Sequence, residues 1–299
     1  MKNQYFGIEI ELTGITRYQA AATIADYFGT SLGRQNTSYG TFKVADREGR
    51  IWQVVKDGSI TAQRKANGEQ TYTNDEDYKV EVVSPKSRYE DIEAIQELVR
   101  RLRKAGAFVN SSCGIHIHVD AANHNAKTLR NLVNLMASKE DMLYKALQVD
   151  LERMRRFCQK VDGSLVEEIK RTKPASMEAL KTLWYKPYSG DTNFYYHKSR
   201  YHGLNFHSVF MKGTVEFRLF NSTTHAGKIK AYIQLCLAIS HQAIAQRGAS
   251  ARKTTTTNEK FTFRTWLLRL GLIGDEFKTA RLHLLEKLGG NSAWRYAAS

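Results

Sequence analysis

The sequence predicts an α+β fold organised around one sheet that has an apolar face and an ionisable face. Four short segments, FGIEIEL, KVEVVSP, CGIHIHV and VEFRLF, set ionisable residues among regularly spaced apolar ones. Because successive side chains of a strand point to opposite faces, each segment places its ionisable residues on one face and its apolar residues on the other. The stretches between these segments show the apolar spacing of amphipathic helices.

The first part of the chain alternates predicted strands with two helices. Its polar run at 61–78 is predicted to be a long surface loop, of the kind that often covers or binds a ligand. The predicted elements are, in order, a strand at 5–13, a helix at 17–28 that Gly29 ends, strands at 41–45 and 51–56, the strand that holds Glu81, and a helix at about 87–104.

The second part begins with the CGIHIHV strand and is predicted to contain a helical insertion at about 126–185. Its later elements are predicted to be strands at 201–207 and 214–220, a long helix at 227–246, and a linker that leads to a small helical tail. The expected domains are therefore residues 1–246, which hold the sheet, and residues 247–299, which form the linker and tail.

Composition is that of a soluble globular protein, with 42% hydrophobic and 25% charged residues in 299. No apolar leader follows Lys2, and the most apolar later stretch, 231–239, is too short to span a bilayer. We therefore expect a cytoplasmic protein without a membrane partner. The three cysteines lack paired spacing, which favours reduced, buried thiols over disulfides.

The net charge of +15 favours anionic partners through long-range attraction. Basic residues cluster at 100–104, at 153–156 and from Arg247 onward. No sequence signature of a known nucleic-acid-binding fold accompanies this charge. Nucleic acid therefore stays open as a partner, and a merely solvated basic surface is the alternative.

The ionisable face predicts a divalent-metal site beside phosphate groups, because such ions take carboxylate oxygens, water and phosphate oxygens as ligands. A His-x-His pair is also a zinc pattern, but the surrounding carboxylates favour magnesium or manganese. Arg218 shares the face of Glu216 and can neutralise a transferring phosphoryl group, with an internal salt bridge as the alternative. The candidate metal ligands are Glu9, Glu11, Glu81, Glu216 and one histidine of the pair His116 and His118, the other histidine being placed to bind a phosphate or a substrate carboxylate.

Six motifs, in order, resemble those of the amidoligase family, which belongs to the glutamine synthetase and glutamate-cysteine ligase superfamily. They are FGIEIEL, KDGSI, EVVSP, CGIHIHVD, RYHGLN and VEFRLFNST, and they span about Tyr5 to Thr224. The resemblance implies a curved, largely antiparallel sheet of the glutamine synthetase catalytic type with helices on its convex face. It also implies that residues 1–246 are the catalytic domain, whereas the helical insertion and the tail match no motif.

For the metals, the resemblance implies two sites that use Mg²⁺ or Mn²⁺. Glu11 and Glu81 would hold one ion near the acceptor carboxylate. Glu9, His116 and Glu216 would hold the ion that bridges the phosphates of ATP.

For the nucleotide and substrates, the resemblance assigns five further roles. Arg218 would stabilise the γ-phosphoryl group in transfer, and Arg200 would be a second clamp for a phosphate or carboxylate. His118 would contact substrate and Asn205 would form a hydrogen bond with it. Asp57 would bind or deprotonate the attacking amine.

The implied reaction is ATP-dependent amide formation from a carboxylate and an amine through an acyl phosphate. Two other classes stay open on the residues themselves. A metal-dependent nuclease or phosphodiesterase would use similar carboxylates, and a non-catalytic nucleic-acid-binding protein would explain the charge. Neither substrate, nor the oligomeric state, is indicated by the sequence.

Overall fold

The computed structural model describes residues 1–34 and 40–294, which contain both strands and helices. The strands are β1 Phe6–Leu12, β2 Leu32–Arg34, β3 Phe42–Ala45, β4 Ile51–Val55, β5 Gln63–Ala66, β6 Glu69–Tyr72, β7 Val80–Val83, β8 Gly114–Asp120, β9 Leu204–Asn205 and β10 Thr214–Asn221. The α-helices are α1 Arg17–Phe28, α2 Ile92–Lys104, α3 Ala126–Leu147, α4 Leu151–Arg156, α5 Gly163–Thr172, α6 Met177–Tyr185, α7 His207–Lys212, α8 Ala226–Ala245, α9 Glu259–Arg269 and α10 Lys278–Leu285.

The chain divides into two units. The first unit holds residues 2–117 and 220–230, and the second holds Met1, residues 118–219 and residues 231–299. Strand β8 passes from the first unit into the second between Ile117 and His118. The last five residues of the predicted tail, 295–299, lie outside the described residues.

The first unit carries strands in the order β2-β3-β4-β7-β1-β8, and its registered pairs are antiparallel. In the β1–β7 register, Glu11 lies opposite Glu81 and Glu9 lies opposite Val83. Residues directly opposite each other point to the same face. The two strands therefore place Glu9, Glu11 and Glu81 on one face, as the alternating pattern predicts.

The opposite face of these strands is the core of the first unit. Ile8, Ile10 and Val82 are each no more than 3% exposed, and helices α1 and α2 bury Ile24 and Leu98. Each such side chain contributes roughly 1.5–3 kcal/mol through burial. Helix α1 begins with Thr16, which forms a capping box with Gln19, and ends at Gly29 with φ of 69°, the left-handed conformation that favours glycine.

The second unit has the strand order β8-β10-β9, and β9 pairs antiparallel with β10 so that Asn205 lies opposite Glu216. The large sheet thus has eight strands. The predicted combination of helices with a large antiparallel sheet is confirmed. Among the described residues, no helix combines the length and the apolar character needed to cross a membrane.

The segment at 61–78 was predicted to be a loop, and this prediction is wrong. It contains the two-stranded hairpin β5–β6, in which Ala66 pairs with Glu69, and a 3₁₀ helix at Glu76–Tyr78. Asn67 and Gly68 have φ of 51° and 85°, which are the left-handed conformations of a two-residue hairpin turn. Apart from Tyr72, the exposed side chains of this hairpin are polar, so the strands lack the apolar alternation that marks a half-buried strand.

The strand predicted at 201–207 is also mostly wrong, because only Leu204 and Asn205 pair as β9. Helix α7 begins directly afterwards at His207. The carboxamide oxygen of Asn205 accepts a hydrogen bond from the backbone N–H of His207 at 2.8 Å, which favours the turn into the helix.

Helices α3 to α6 confirm the predicted helical segment, and α9 and α10 confirm that the tail is helical. The tail packs within the second unit, where Phe263, Leu267 and Leu284 are fully buried. Lys253 extends to the buried Glu140 of α3 at 2.8 Å. Burial raises the pKa of Glu140, and the ammonium of Lys253 opposes that rise.

Gly203, in the RYHGLN segment, is required by close packing rather than by its backbone angles. Its N–H donates to Gln159 O at 2.7 Å, and its carbonyl accepts from the N–H of Arg218 at 2.8 Å. A Cβ at this position would collide with the Tyr144 hydroxyl and lie 3.1 Å from Tyr144 Cζ. The Tyr144 hydroxyl is itself buried and donates to Cys158 O at 2.8 Å.

We expect Gly203→Ala to lower the free energy of unfolding by about 1–3 kcal/mol, because the added methyl group must displace Tyr144. Tyr144→Phe alone should cost about 1 kcal/mol through the lost hydrogen bond. The double variant lacks the hydroxyl that the added methyl group would meet. In denaturant titrations, its loss of unfolding free energy should therefore be smaller than the sum of the losses in the two single variants. Strictly additive costs would contradict this explanation of Gly203.

Candidate active site

Four carboxylates and one histidine converge on the ionisable face of the first unit. Ligand atoms of Glu9, Glu81 and His116 lie within 4.8 Å of one another, and so do those of Glu11, Asp57 and Glu81. Glu81 belongs to both groups. We call these five residues the carboxylate cluster.

Strand register explains why residues so distant in sequence meet here. Glu81 lies opposite Glu11 on β1 and opposite Val55 on β4. Asp57 follows Val55 by two residues, so it continues the same face just beyond the end of β4. Its carboxylate also accepts from the N–H and the hydroxyl of Ser59, each at 2.6 Å, which orients the side chain.

Glu11 is the most deeply buried carboxylate of the cluster, with 2% of its surface exposed. Its Oε2 accepts from the N–H of Gly114 at 2.6 Å, and its Oε1 lies 3.6 Å from His116 Nε2. The other ring nitrogen of His116, Nδ1, lies 3.0 Å from Glu9 Oε2. His116 therefore stands between two carboxylates, and a backbone donor from β8 fixes one of them.

The donor set of the carboxylate cluster fits Mg²⁺ or Mn²⁺. Each three-residue group offers carboxylate oxygens, with at most one imidazole nitrogen, and hard divalent ions prefer such ligands. Coordination of a metal ion is one way in which a buried carboxylate such as Glu11 is stabilised. A zinc site would call for more nitrogen or sulfur ligands than these groups contain.

A second set of predicted residues meets in the second unit, around Glu216. Glu216 is 3% exposed, and its Oε1 lies 2.5 Å from Arg218 NH1. Its Oε2 accepts from the Asn205 amide at 2.6 Å, and His118 Nε2 lies 3.8 Å from Oε1. We call Glu216, Arg218, Asn205 and His118 the Glu216 cluster.

Two members of the Glu216 cluster have partners within the protein, and their predicted contacts with substrate stay predictions. Asn205 was expected to hydrogen-bond substrate, and in the structure its amide donates to Glu216 and its carbonyl accepts from His207. Nδ1 of His118 lies 2.9 Å from the Thr214 hydroxyl. Both side chains thus have contacts within the protein that orient the polar groups of the sheet.

Arg200 is placed among tyrosines. Its guanidinium lies 4.6 Å from the ring centroid of Tyr195 and 5.3 Å from that of Tyr196, and NH1 donates to Tyr195 O at 3.3 Å. A cation over aromatic faces is stabilised electrostatically. Arg200 therefore contacts tyrosine rings and a backbone carbonyl. Its predicted role as a clamp for a phosphate or carboxylate stays a prediction.

A buried tyrosine and histidine lie behind Asn205. The Tyr185 hydroxyl is 2.6 Å from His207 Nδ1. Burial lowers the pKa of His207 and raises the pKa of Tyr185 to about 12. At neutral pH the imidazole is therefore uncharged and the phenol is protonated, so this pair adds no charge beside Glu216.

Sequence reasoning missed the residues that support the site. Gly114 and Ser222 both contact Glu11, the latter through a hydrogen bond of 2.5 Å from its hydroxyl to the Glu11 carbonyl. Thr214 and Ser208 lie against His118 and each other. Ser222 and Thr214 flank the VEFRLF motif, but only the folded chain shows what they contact.

A family model described as "Putative amidoligase enzyme" matches residues 2–240. The chain belongs to this amidoligase family. The resemblance drawn from the six motifs is confirmed, and every residue of both clusters lies inside the matched range. No curated protein matches the chain.

The match also separates two regions of this amidoligase. Residues 241–299 lie outside it, and they include the helical tail with α9 and α10. The family name supports a ligase-type enzyme, and it leaves the nucleotide, the metal and the substrates to be proposed from the site.

Because Glu81 serves both groups of the carboxylate cluster, we expect Glu81→Gln to weaken Mn²⁺ binding more than Asp57→Asn, which touches one group. We expect Glu81→Gln to raise the dissociation constant for Mn²⁺ at least about tenfold, because losing even a residue that only orients a metal ligand weakens metal affinity by that factor. Electron paramagnetic resonance of free Mn²⁺ measures it directly. Glu69→Gln, an exposed carboxylate on β6, is the matched control, and wild-type affinity in Glu81→Gln would contradict the site.

Proposed function

We propose that the protein is an ATP-dependent carboxylate-amine ligase that forms an amide bond through an acyl phosphate. The observation that supports this most is the carboxylate cluster, in which Glu81 joins two three-ligand groups. A pair of neighbouring divalent ions is the arrangement that phosphoryl transfer uses to neutralise phosphate oxygens. Membership of the amidoligase family supports the ligase class. The proposal includes the curved sheet of the glutamine synthetase type.

Two groups of residues would hold the ions in this proposal. Glu11, Asp57 and Glu81 would hold one, and Glu9 and Glu81 with His116 would hold the other, with Glu216 as a further ligand from the sequence motifs. Asp57 thereby changes from a candidate amine base to a candidate metal ligand, because its carboxylate lies with those of Glu11 and Glu81. Bound Mg²⁺ or Mn²⁺ would offset the negative charge of ATP and of the substrate carboxylate.

The protein's own contribution is to hold charged groups in fixed positions before substrate arrives. The Gly114 N–H holds Glu11, and the two oxygens of Glu216 are held by Arg218 and Asn205. Arg218 also directs its Nε toward Phe157 O at 3.4 Å. A guanidinium that is already oriented stabilises a developing charge without the cost of reorganising in the transition state.

Chemistry in this proposal needs no nucleophile from the protein. The substrate carboxylate attacks the γ-phosphorus of ATP, the bond to ADP breaks, and a carboxylic-phosphoric anhydride forms. The amine then attacks the acyl carbon, phosphate leaves, and the proton that the amine loses passes to the released phosphate or to solvent. Arg218 is the residue we assign to the γ-phosphoryl oxygens, with the ion pair to Glu216 keeping it in place.

With ATP, Mg²⁺, hydroxylamine and a panel of carboxylic acids, we expect the wild-type protein to form a hydroxamate and ADP together. Arg218→Lys should bind nucleotide but lose about a hundredfold or more in turnover, because an ammonium cannot reproduce the planar fork. Arg64→Lys, an exposed change on β5, is the matched control.

Two outcomes would count against this assignment. Full activity of a folded Arg218→Lys protein would remove Arg218 from the reaction while leaving the ligase class intact. Cleavage of a phosphodiester, with no hydroxamate from any acid in the panel, would favour the nuclease alternative instead.

A further inference from the structure

Helices of the second unit enclose a cleft of about 460 Å³ that is rich in cations and separate from both clusters described above. Five of its lining residues are basic, and the described residues that line it include no carboxylate. We call it the basic cleft. Its cationic residues are Lys127, Arg130, Lys170, Lys173 and Arg247.

Three segments bring these cations together. Lys127 and Arg130 lie three residues apart on α3, which places them on one face of the helix. Lys170 lies in the last turn of α5, and Lys173 follows as its cap with φ of 46°. Arg247 comes two residues after the end of α8.

Two asparagines of α3 fix the segment that carries Arg247. The Asn131 amide donates to the carbonyls of Ala243 and Gln246, each at 3.1 Å. The Asn134 amide donates to Ala249 O at 2.9 Å. The position of Arg247 beside α3 is therefore built into the fold.

Four of the five cations of the basic cleft have no ion-pair partner among the described residues. No ion pair within 4.0 Å joins Lys127, Arg130, Lys173 or Arg247 to a carboxylate of the described chain, whereas Lys170 reaches Glu167 at 3.6 Å. Nearby Lys253 shows the usual alternative, since it pairs with both Glu140 and Asp141. Gathering unpaired like charges is unfavourable unless an anion compensates them.

Two of these cations lie near the N-terminus of α3, where a positive side chain destabilises a helix. Lys127 is in the first turn of α3 and Arg130 follows in the next, at the end where the helix dipole is positive. Acidic side chains usually occupy such positions, and α3 has none in its first turn. An anion bound there would interact favourably both with the dipole and with the side chains.

We propose that the basic cleft binds the phosphodiester backbone of a nucleic acid. The described lining has no aromatic side chain for base stacking, and Ile169 is its single large apolar residue, so the contacts it offers are to phosphates rather than to bases or to the apolar anchors of a peptide. The lining includes Arg247, Gly248, Ala249 and Ala251, which lie beyond the family match that ends at residue 240. This inference does not depend on the proposed ligase activity.

Fluorescence anisotropy with a labelled DNA duplex or RNA strand of mixed sequence, about 20 nucleotides long, tests the proposal at about 50 and about 200 mM salt. The cleft variant combines Lys127→Gln, Arg130→Gln, Lys173→Gln and Arg247→Gln. We expect its dissociation constant to rise at least about tenfold at the lower salt. Its salt slope should fall by about one for each side chain that meets a phosphate.

A control variant with the same loss of charge separates the cleft from the overall charge of +15. It combines Arg64→Gln, Lys65→Gln, Arg103→Gln and Lys278→Gln, all at exposed positions outside the cleft. We expect this variant to bind nearly as tightly as the wild type. The charge-preserving double variant Lys127→Arg with Lys173→Arg should also bind nearly as tightly as the wild type. If the fourfold cleft variant does not fold, Lys127→Gln alone should still show a smaller but measurable loss of affinity for nucleic acid.

Three results would overturn the proposal. They are the absence of wild-type binding at low salt, equal losses in the cleft and control variants, and tighter binding of a polyglutamate peptide than of a nucleic acid of equal charge. The last result would identify an acidic protein segment as the partner of the cleft.

Discussion

The constraint on which the site depends is the antiparallel register that sets Glu11 directly opposite Glu81. Like charges in opposed positions destabilise a sheet, and here one of the two is almost completely buried. Glu11 accepts a hydrogen bond from the Gly114 N–H and lies beside the His116 ring. Asp57 lies close enough to Glu11 and Glu81 to bind a cation with them, and Glu9 lies close enough to Glu81 and His116 to do the same. A register shifted by one residue would turn these carboxylates into the apolar core. The packing of Ile10 and Val82 in that core therefore maintains the register that places the carboxylates on the site face.

The two clusters differ in the contacts that their carboxylates make. In the carboxylate cluster, carboxylate oxygens from three strands or strand ends lie close to one another, which is an arrangement that can hold a metal ion. In the Glu216 cluster the carboxylate already has Arg218 and Asn205 as partners, so the protein fixes the guanidinium there without outside help. An arginine held in this way can meet a phosphoryl group as a preorganised charge.

Much of the fold could be predicted because strands β1, β7, β8 and β10 alternate apolar and ionisable residues with a period of two. The β5–β6 hairpin could not, since both of its strands are polar and only the Asn67-Gly68 turn marks it. Strand β9 was overestimated because the apolar residues around it continue into α7, which Asn205 starts by accepting from His207. The place of Asp57 among the metal candidates follows from the pairing of Val55 with Glu81, a tertiary relation that no local pattern contains.

The central claim is that the carboxylate cluster holds two divalent ions that share Glu81. Anomalous diffraction from crystals grown with Mn²⁺ and a non-hydrolysable ATP analogue tests it most directly. The account predicts two manganese peaks, each at about 2.2 Å from a carboxylate oxygen of Glu81, with Glu11 and Asp57 beside one and Glu9 and His116 beside the other. Bound nucleotide with manganese peaks remote from Glu81, or with none, would contradict it.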